Sequence, residues 1–212
     1  GVHLKDGGYH IYVGGVGMKP GDYLDNDGNI SDTKPTEGGY AYYTYSHENG
    51  ALLTLHDYDY YGAAYIEVWD DSYGIATELG NLTIVLEGRN RIATDYYAYS
   101  GIFVTGDVTF TGSGALMVNA YYYGISVSGD ITVDGAFVDV SAQYYAIYDY
   151  TEDLTVKNGG LLQLYSSSGD DIYVQNLILD RGSLIIDGSP LFVTVYDEFE
   201  FEILCLSFSC YF

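Results

Sequence analysis

One short motif decides the fold of this chain: Asn81-Leu82-Thr83-Ile84, Asp107-Val108-Thr109-Phe110, Asp130-Ile131-Thr132-Val133, Asp153-Leu154-Thr155-Val156 and Asn176-Leu177-Ile178-Leu179. Each copy begins with Asn or Asp and continues with an aliphatic residue, usually a Thr, and a second apolar residue. The aliphatic residue falls at positions 82, 108, 131, 154 and 177, in steps of 26, 23, 23 and 23 residues. Alternating apolar and polar residues are typical of a β-strand, and a fixed long period is typical of a repeat architecture.

Two further strand patterns recur with the same period. One is a small or acidic residue followed by Ile, at Gly74-Ile75, Gly101-Ile102, Gly124-Ile125, Ala146-Ile147 and Asp171-Ile172. The other is a spaced apolar pair, at Leu116 and Val118, Val138 and Val140, Leu162 and Leu164, and Leu184 and Ile186. No segment keeps the 3.6-residue spacing of a helix. Together the patterns predict an all-β protein, a right-handed parallel β-solenoid with about 23 residues in each three-strand coil.

Stacked coils place equivalent side chains in columns along the solenoid axis. The apolar residues at 82, 84, 108, 110, 131, 133, 154 and 156 are predicted to point inward. Thr83, Thr109, Thr132 and Thr155 are predicted to form an outward column. Corners are predicted where Gly allows a positive φ, at Gly106, Gly129, Gly135, Gly160 and Gly182. Other corners are predicted where a short acid can bond backbone amides, at Asp107, Asp130 and Asp153.

The period divides the chain into three parts. Residues 1–50 lack it and are predicted to form a β-rich N-terminal cap, because an open solenoid end invites edge pairing. Residues 51–188 are predicted to form the coils, and residues 189–212 the C-terminal capping strands. Cys205 and Cys210 fall in this last part. They are compatible with two buried thiols, a disulfide within the chain or a bond between chains.

Composition excludes several classes of partner. The formal net charge is −23, with 30 acidic residues and only seven Lys and Arg. Nucleic acids and anionic membranes both require clustered cations, so neither is an expected partner. No apolar run reaches the ~18 residues of a membrane span, so membrane insertion is not expected. The sequence begins at Gly1 without an initiator Met or a signal peptide, which predicts a mature or excised product.

These repeats resemble those of bacterial surface proteins with right-handed β-helix repeats. The resemblance rests on Asn-Leu-Thr-Ile at 81–84 and Gly-Asp-Ile-Thr-Val at 129–133, with Gly-Ser-Gly-Ala-Leu at 112–116 and Tyr-Gly-Ile at 123–125 between the repeats. It covers residues 9 to 187, beginning with Tyr-His-Ile-Tyr-Val-Gly-Gly-Val at 9–16. It implies a fold like that of pectate lyases without a need for their active site. It also implies an extracellular or cell-surface location, and carbohydrate as a possible ligand.

Tyrosines cluster just before the Ile strands. The candidate ligand-binding residues, which we call the tyrosine face, are Tyr73, Tyr96, Tyr97, Tyr99, Tyr121, Tyr122, Tyr123, Tyr144, Tyr145 and Tyr148. Further tyrosines are expected to extend this face at Tyr58, Tyr60, Tyr61, Tyr65, Tyr150 and Tyr173. Such a patch favours recognition of a glycan or surface protein. The alternatives are head-to-tail self-association into a fibre, and aromatic ladders that only stabilise the solenoid.

No pattern for catalysis, metal binding or a cofactor emerges. Arg89 and Arg91 lack the recurring carboxylates that a lyase with calcium would need. The pairs Asp70-Asp71 and Asp170-Asp171 are adjacent in sequence, whereas a glycosidase needs two carboxylates placed across one bond. The four histidines lack regular metal spacing. We therefore expect a non-catalytic protein without a cofactor or bound metal.

Overall fold

A computed structural model describes residues 11–67, 69–168 and 172–186, and these residues form strands and turns without a helix. None of the described segments could therefore cross a membrane as a helix. The strands are β1 (Ile11–Val13), β2 (Val16–Met18), β3 (Tyr23–Asp25), β4 (Ile30–Ser31), β5 (Tyr40–Ser46), β6 (Gly50–His56), β7 (Asp59–Gly62), β8 (Tyr65–Ile66), β9 (Asp71–Thr77), β10 (Leu82–Glu87), β11 (Arg89–Thr94), β12 (Ser100–Val104), β13 (Val108–Thr111), β14 (Ala115–Ala120), β15 (Tyr123–Val127), β16 (Ile131–Asp134), β17 (Phe137–Ala142), β18 (Tyr145–Lys157), β19 (Leu161–Ser166), β20 (Ile172–Asp180) and β21 (Ser183–Ile186).

Every coil contributes one strand to each of three parallel sheets. The Thr sheet contains β6, β10, β13, β16 and the last residues of β18 and β20. The Met sheet, named after Met117, contains β7, β11, β14, β17, β19 and β21. The Ile sheet contains β9, β12, β15 and the first residues of β18 and β20. The Thr and Ile sheets merge because β18 runs through the corner between them without a break.

The register confirms the predicted solenoid of about five turns spaced roughly 23 residues apart. In the Thr sheet, Val108 pairs with Leu82 on one side and with Ile131 on the other, and Ile131 pairs with Leu154. All of these side chains are buried, as are their partners two residues later. The predicted Thr column also forms, and its members are only half-buried. The core therefore lies between the three sheets.

A ladder of Asn and Asp side chains joins the coils at the corner before the Thr sheet. The Asp107 N–H donates to Oδ1 of Asn81 at 2.8 Å. The Asp130 N–H donates to Oδ1 of Asp107, and the Asp153 N–H to Oδ1 of Asp130, both at 2.9 Å. The last rung is a bond of 2.7 Å from Asn176 Nδ2 to Asp153 Oδ1. The predicted role of the corner acids, to bond backbone amides, is confirmed for Asp107 and Asp130, whereas Asp153 accepts from a side-chain amide.

The predicted reason for the corner glycines is wrong in four of five cases. Only Gly135 has a positive φ, of 73°. At Gly106, a Cβ would lie 2.3 Å from Oδ1 of Asn81, and at Gly129 it would lie 2.3 Å from Oδ1 of Asp107. At Gly160 and Gly182, it would meet a carbonyl oxygen of the preceding coil at 2.8 and 2.3 Å. These four glycines are required because the coil below leaves no room for a side chain.

Antiparallel strands flank the first coil. A hairpin of β1 and β2 turns at Gly14 and Gly15, and β1 pairs with β9. The strand β5 pairs with β6, and β3 and β4 extend that side. The boundaries proposed for the three parts of the chain stay a prediction. The expected C-terminal capping strands, with Cys205 and Cys210, lie outside the described residues.

Replacing Asp130 with Ala is expected to lower the free energy of unfolding by about 1–2 kcal/mol, because the Asp153 N–H loses its acceptor. Asp130→Asn is the matched control, since an amide oxygen can still accept that bond. Chemical denaturation of both variants measures the difference. Equal losses in the two variants would show that the ladder bond is not the source of the stability.

Candidate functional site

The turn between the Met sheet and the Ile sheet carries Tyr on successive coils. It contributes Tyr96 and Tyr97 from one coil, Tyr121 and Tyr122 from the next, and Tyr144 from the third. Backbone bonds between coils hold these turns in register: the Gln143 N–H donates to the Tyr121 carbonyl at 3.1 Å, and the Tyr144 N–H to the Tyr122 carbonyl at 3.3 Å. The repeat thus places similar side chains one above another.

The turn tyrosines contact each other directly. The ring centroids of Tyr96 and Tyr121 lie 4.0 Å apart, and those of Tyr121 and Tyr122 lie 4.9 Å apart with perpendicular rings. Tyr122 and Tyr144 are stacked, with centroids at 5.5 Å and an interplanar angle of 13°. Tyr97 contacts the edge of this group through Tyr96, at 5.4 Å.

A second row of rings lies on the outer surface of the Ile sheet. Centroid distances are 5.8 Å from Tyr73 to Tyr99 and 5.0 Å from Tyr99 to Tyr123. Tyr148 stacks on Tyr123 at 4.2 Å and 10°, and it contacts Tyr145 at 5.1 Å. Tyr122 and Tyr123, 6.4 Å apart, join the two rows. The structure thus brings all ten residues of the tyrosine face into one connected network, and their role in binding stays a prediction.

Exposure separates the ten rings into two groups. Five are exposed: Tyr97 at 78%, Tyr96 at 56%, Tyr99 at 40%, Tyr144 at 37% and Tyr122 at 36%. The other five are half-buried beneath or beside them. The exposed rings can contact a ligand, whereas the half-buried rings hold the exposed rings in position.

Three aromatic residues that the sequence analysis missed extend the Ile-sheet row. Trp69 contacts Tyr73 at 5.8 Å and Tyr12 at 5.2 Å, and Phe103 contacts Tyr73 at 5.0 Å. The repeat contains a signal for Phe103, because it follows Gly101-Ile102 directly and shares its outward column with Ser126 and Tyr148. Tyr12 lies on β1, and Trp69 lies in the turn between β8 and β9, so neither residue belongs to a repeated strand.

The expected extension of the tyrosine face into the first coils is wrong at Tyr58 and Tyr61, and Tyr60 packs against the core. Tyr65 is exposed on β8, and its place in the face stays a prediction. Tyr58 points into the core and is only 2% exposed, and its N–H donates to buried Asn90 Oδ1 at 2.9 Å. Tyr61 is exposed on the Met sheet, where its register partner is Ala93. The side chains of Tyr150 and Tyr173 lie outside the described part of the chain.

The charged groups that border the tyrosine face are acidic. Asp71 accepts a hydrogen bond from the Tyr73 hydroxyl at 2.9 Å, and Asp95 accepts one from the Tyr97 N–H at 3.1 Å. The cation nearest in sequence, Arg91, lies instead on the outer surface of the Met sheet, paired with Asp59. No group of three or more potential metal ligands occurs among the described residues.

Three tyrosine hydroxyls of this face have a raised pKa, which favours the neutral form. A hydrogen bond with the Tyr96 hydroxyl, followed by desolvation, raises the pKa of Tyr121 to about 12. Burial, and then the hydrogen bond to Asp71, raises the pKa of Tyr73. Burial also raises the pKa of Tyr123. The face therefore presents uncharged hydroxyl groups at neutral pH.

We expect Tyr96→Phe to lower the pKa of Tyr121 from about 12 toward 10, because the hydrogen bond between the hydroxyls is lost. Tyr97→Phe keeps that bond and is the control. The folded protein favours neutral Tyr121, so its contribution to stability is complete below pH 10 and is lost as the pH rises toward 12. Ultraviolet titration of phenolate absorbance follows the ionisation, and identical curves for Tyr96→Phe and Tyr97→Phe, which have the same number of phenols, would contradict the assignment.

Comparison with known proteins agrees with this geometry. A family model described as carbohydrate-binding domain-containing protein matches residues 65–197, which include the whole tyrosine face. No curated protein and no solved structure matches the chain. The family model covers more than half of the sequence, and the chain belongs to the family of carbohydrate-binding domain-containing proteins.

Proposed function

We propose that this protein is an extracellular, non-catalytic module that binds a neutral glycan on its tyrosine face. The single observation that carries the proposal is the connected network of ten rings, five of them exposed, within the segment matched by the family model. An exposed apolar patch of this kind is unusual on a protein without a partner.

Tyrosine can contact both the apolar C–H groups and the polar hydroxyl groups of a sugar. The C–H groups on one side of a pyranose ring can lie against an aromatic ring, and the sugar hydroxyls can bond the phenol hydroxyl. Tyr also contributes a large contact area at a small cost in side-chain entropy. Here the cost is smaller still, because neighbouring rings such as Tyr121 and Tyr123 already hold the exposed rings in place.

Charge narrows the class of glycan. Asp71 and Asp95 border the tyrosine face, and the whole chain carries a net charge of −23. A glycan rich in carboxylate or sulfate would be repelled, and its anionic groups would have no Lys or Arg partner among the ring contacts described above. The neutral, protonated phenols can act as hydrogen-bond donors to sugar oxygens. These features favour a neutral glycan, presented as a free chain or on a surface protein.

A head-to-tail fibre is the second candidate, and the strand pairing argues against it. At the N-terminal end of the coils, β5 already pairs with β6, and β1 already pairs with β9. Among the described residues, β7, with four residues, is the only one of the three first strands at a sheet edge. A second solenoid stacked on this end would therefore find only one short free edge.

The double variant Tyr122→Ala/Tyr144→Ala is expected to raise the Kd for a bound neutral oligosaccharide about tenfold or more, since it removes a stacked pair of exposed rings. Tyr165→Ala is the matched control, because Tyr165 is 43% exposed but lies on the Met sheet. Calorimetric titration with neutral oligosaccharides and with uronic-acid oligosaccharides measures both the site and the charge preference.

This experiment tests the location of the binding site and the preference for neutral glycans separately. Equal weakening by Tyr165→Ala would place the glycan elsewhere on the protein. Tighter binding of uronic acids than of neutral sugars would overturn the charge argument and leave the tyrosine face as the site. Cleavage of any oligosaccharide during the titration would show that the module is catalytic.

A further inference from the structure

The outer surface of the Met sheet is a second broad, weakly charged face. It is built from three outward columns that run along the solenoid axis, and strand register defines them. Their members are Arg89, Ala115, Phe137, Leu161 and Ser183; Asp59, Arg91, Met117, Asp139, Gln163 and Ile185; and Tyr61, Ala93, Asn119, Ser141 and Tyr165. Met117 lies near the middle and is 44% exposed, and Tyr61, Tyr165 and Ile185 are also exposed.

Charge balance distinguishes this surface from the chain as a whole. Its columns contain two cations, Arg89 and Arg91, and two acids, Asp59 and Asp139. The complete chain has a net charge of −23, so two copies repel each other over most approaches. Two copies that meet through their Met sheets avoid that repulsion locally, because each surface is neutral.

The order of residues in the central column is self-complementary. Arg91, Met117 and Asp139 are direct register neighbours on β11, β14 and β17. A two-fold axis that runs along the strands at Met117 reverses the order of the coils in the second copy. It therefore places Arg91 opposite the partner's Asp139, Asp139 opposite the partner's Arg91, and Met117 opposite its own copy.

We propose that the Met sheet is the interface of a symmetric homodimer whose two-fold axis passes Met117, with Arg91 of each copy bound to Asp139 of the other. The same axis places Asn119 opposite its own copy, where one amide can donate and the other accept. It places Arg89 opposite the partner's Phe137, a cation and an aromatic ring. It also places Tyr61 opposite the partner's Tyr165.

Both members of the central pair have capacity for a partner. Arg91 bonds Asp59 through Nε at 2.5 Å and Nη2 at 3.1 Å, which occupies two of the five N–H groups of its guanidinium. Asp139 is half-buried between Met117 and Gln163, and this burial raises the pKa of its carboxyl. A guanidinium from the second copy would provide the counter-charge that neither register neighbour of Asp139, Met117 or Gln163, can supply.

The size of the surface sets the expected strength. Six strands about 4.8 Å apart and about five residues long cover roughly 500 Å². Stable complexes bury about 800 Å² on each partner, so this dimer is expected to be weak and reversible. It leaves the tyrosine face, at the edge of the Met sheet and beyond it, free to bind a ligand on each copy.

Sedimentation velocity of the complete protein tests the dimer. Protein concentrations from about 1 µM to about 500 µM cover the range in which small interfaces dissociate. We expect a monomer–dimer equilibrium. Asp139→Arg should weaken it about tenfold or more, because Arg then faces the partner's Arg91. The double variant Arg91→Asp/Asp139→Arg should recover dimerisation, since opposite charges again face each other. Asp134→Arg, on the Thr sheet, changes the net charge equally and should leave the equilibrium unchanged.

The glycan affinity of Asp139→Arg should equal that of the unmodified protein, which separates this inference from the proposed function. A monomer at every concentration would overturn the inference, as would equal weakening by Asp134→Arg and Asp139→Arg. Open-ended association instead of a dimer would also overturn it. If circular dichroism shows that Asp139→Arg folds poorly, Met117→Glu is used in its place. Its exposed side chain would face an identical charge in the second copy, and unchanged dimerisation would then contradict the axis.

Discussion

The register between successive coils is the constraint on which the rest of this structure depends. Backbone hydrogen bonds fix the spacing between coils along the solenoid axis. The Asn and Asp ladder fixes the register of each coil along the strand direction, because each side-chain oxygen accepts one particular N–H of the next coil. Three stacked carboxylates would repel each other, but the ladder ends in Asn81 and Asn176. Both of these amides donate to the neighbouring Asp, at 3.1 and 2.7 Å, so the charged rungs lie between neutral donors.

Much of the fold could be predicted because the repeat copies identical requirements from coil to coil. The inward Val108 and Ile131, and the corner acid Asp130, serve the same purpose in every turn. The glycines show the limit of this reasoning. Gly129 and Gly135 look alike in sequence, yet one is required by the oxygen of Asp107 and the other by its φ of 73°. Only the position of the coil below distinguishes these two causes.

The candidate site was predictable to the same extent and for the same reason. Most of the ten tyrosines lie in or beside the turn that precedes each Ile strand, so their proximity follows from the period. Tyr58 was misplaced because the coil that contains it is longer than the later ones, with a step of 31 residues between the register partners Ala51 and Leu82. The inward or outward direction of its side chains therefore cannot be transferred from the later coils. Trp69 and Tyr12 contact the face from a turn and a strand that the repeat does not include.

The distribution of charge explains how a strongly acidic chain can offer two faces without a net negative charge. Several carboxylates, among them Asp95, Asp107 and Asp130, lie at corners, where the ladder or a turn amide binds them. The outward columns of the sheets therefore contain few unbalanced charges. Stacking then covers part of the aromatic surface within the protein, as between Tyr123 and Tyr148.

The rings that remain available to a ligand are the exposed ones, above all Tyr97, Tyr96 and Tyr99. A half-buried ring such as Tyr121 contributes to recognition by fixing Tyr96, with which it shares a hydrogen bond and a ring contact at 4.0 Å. The rigidity of the solenoid is therefore part of the binding chemistry, because a ligand need not order the side chains that it contacts.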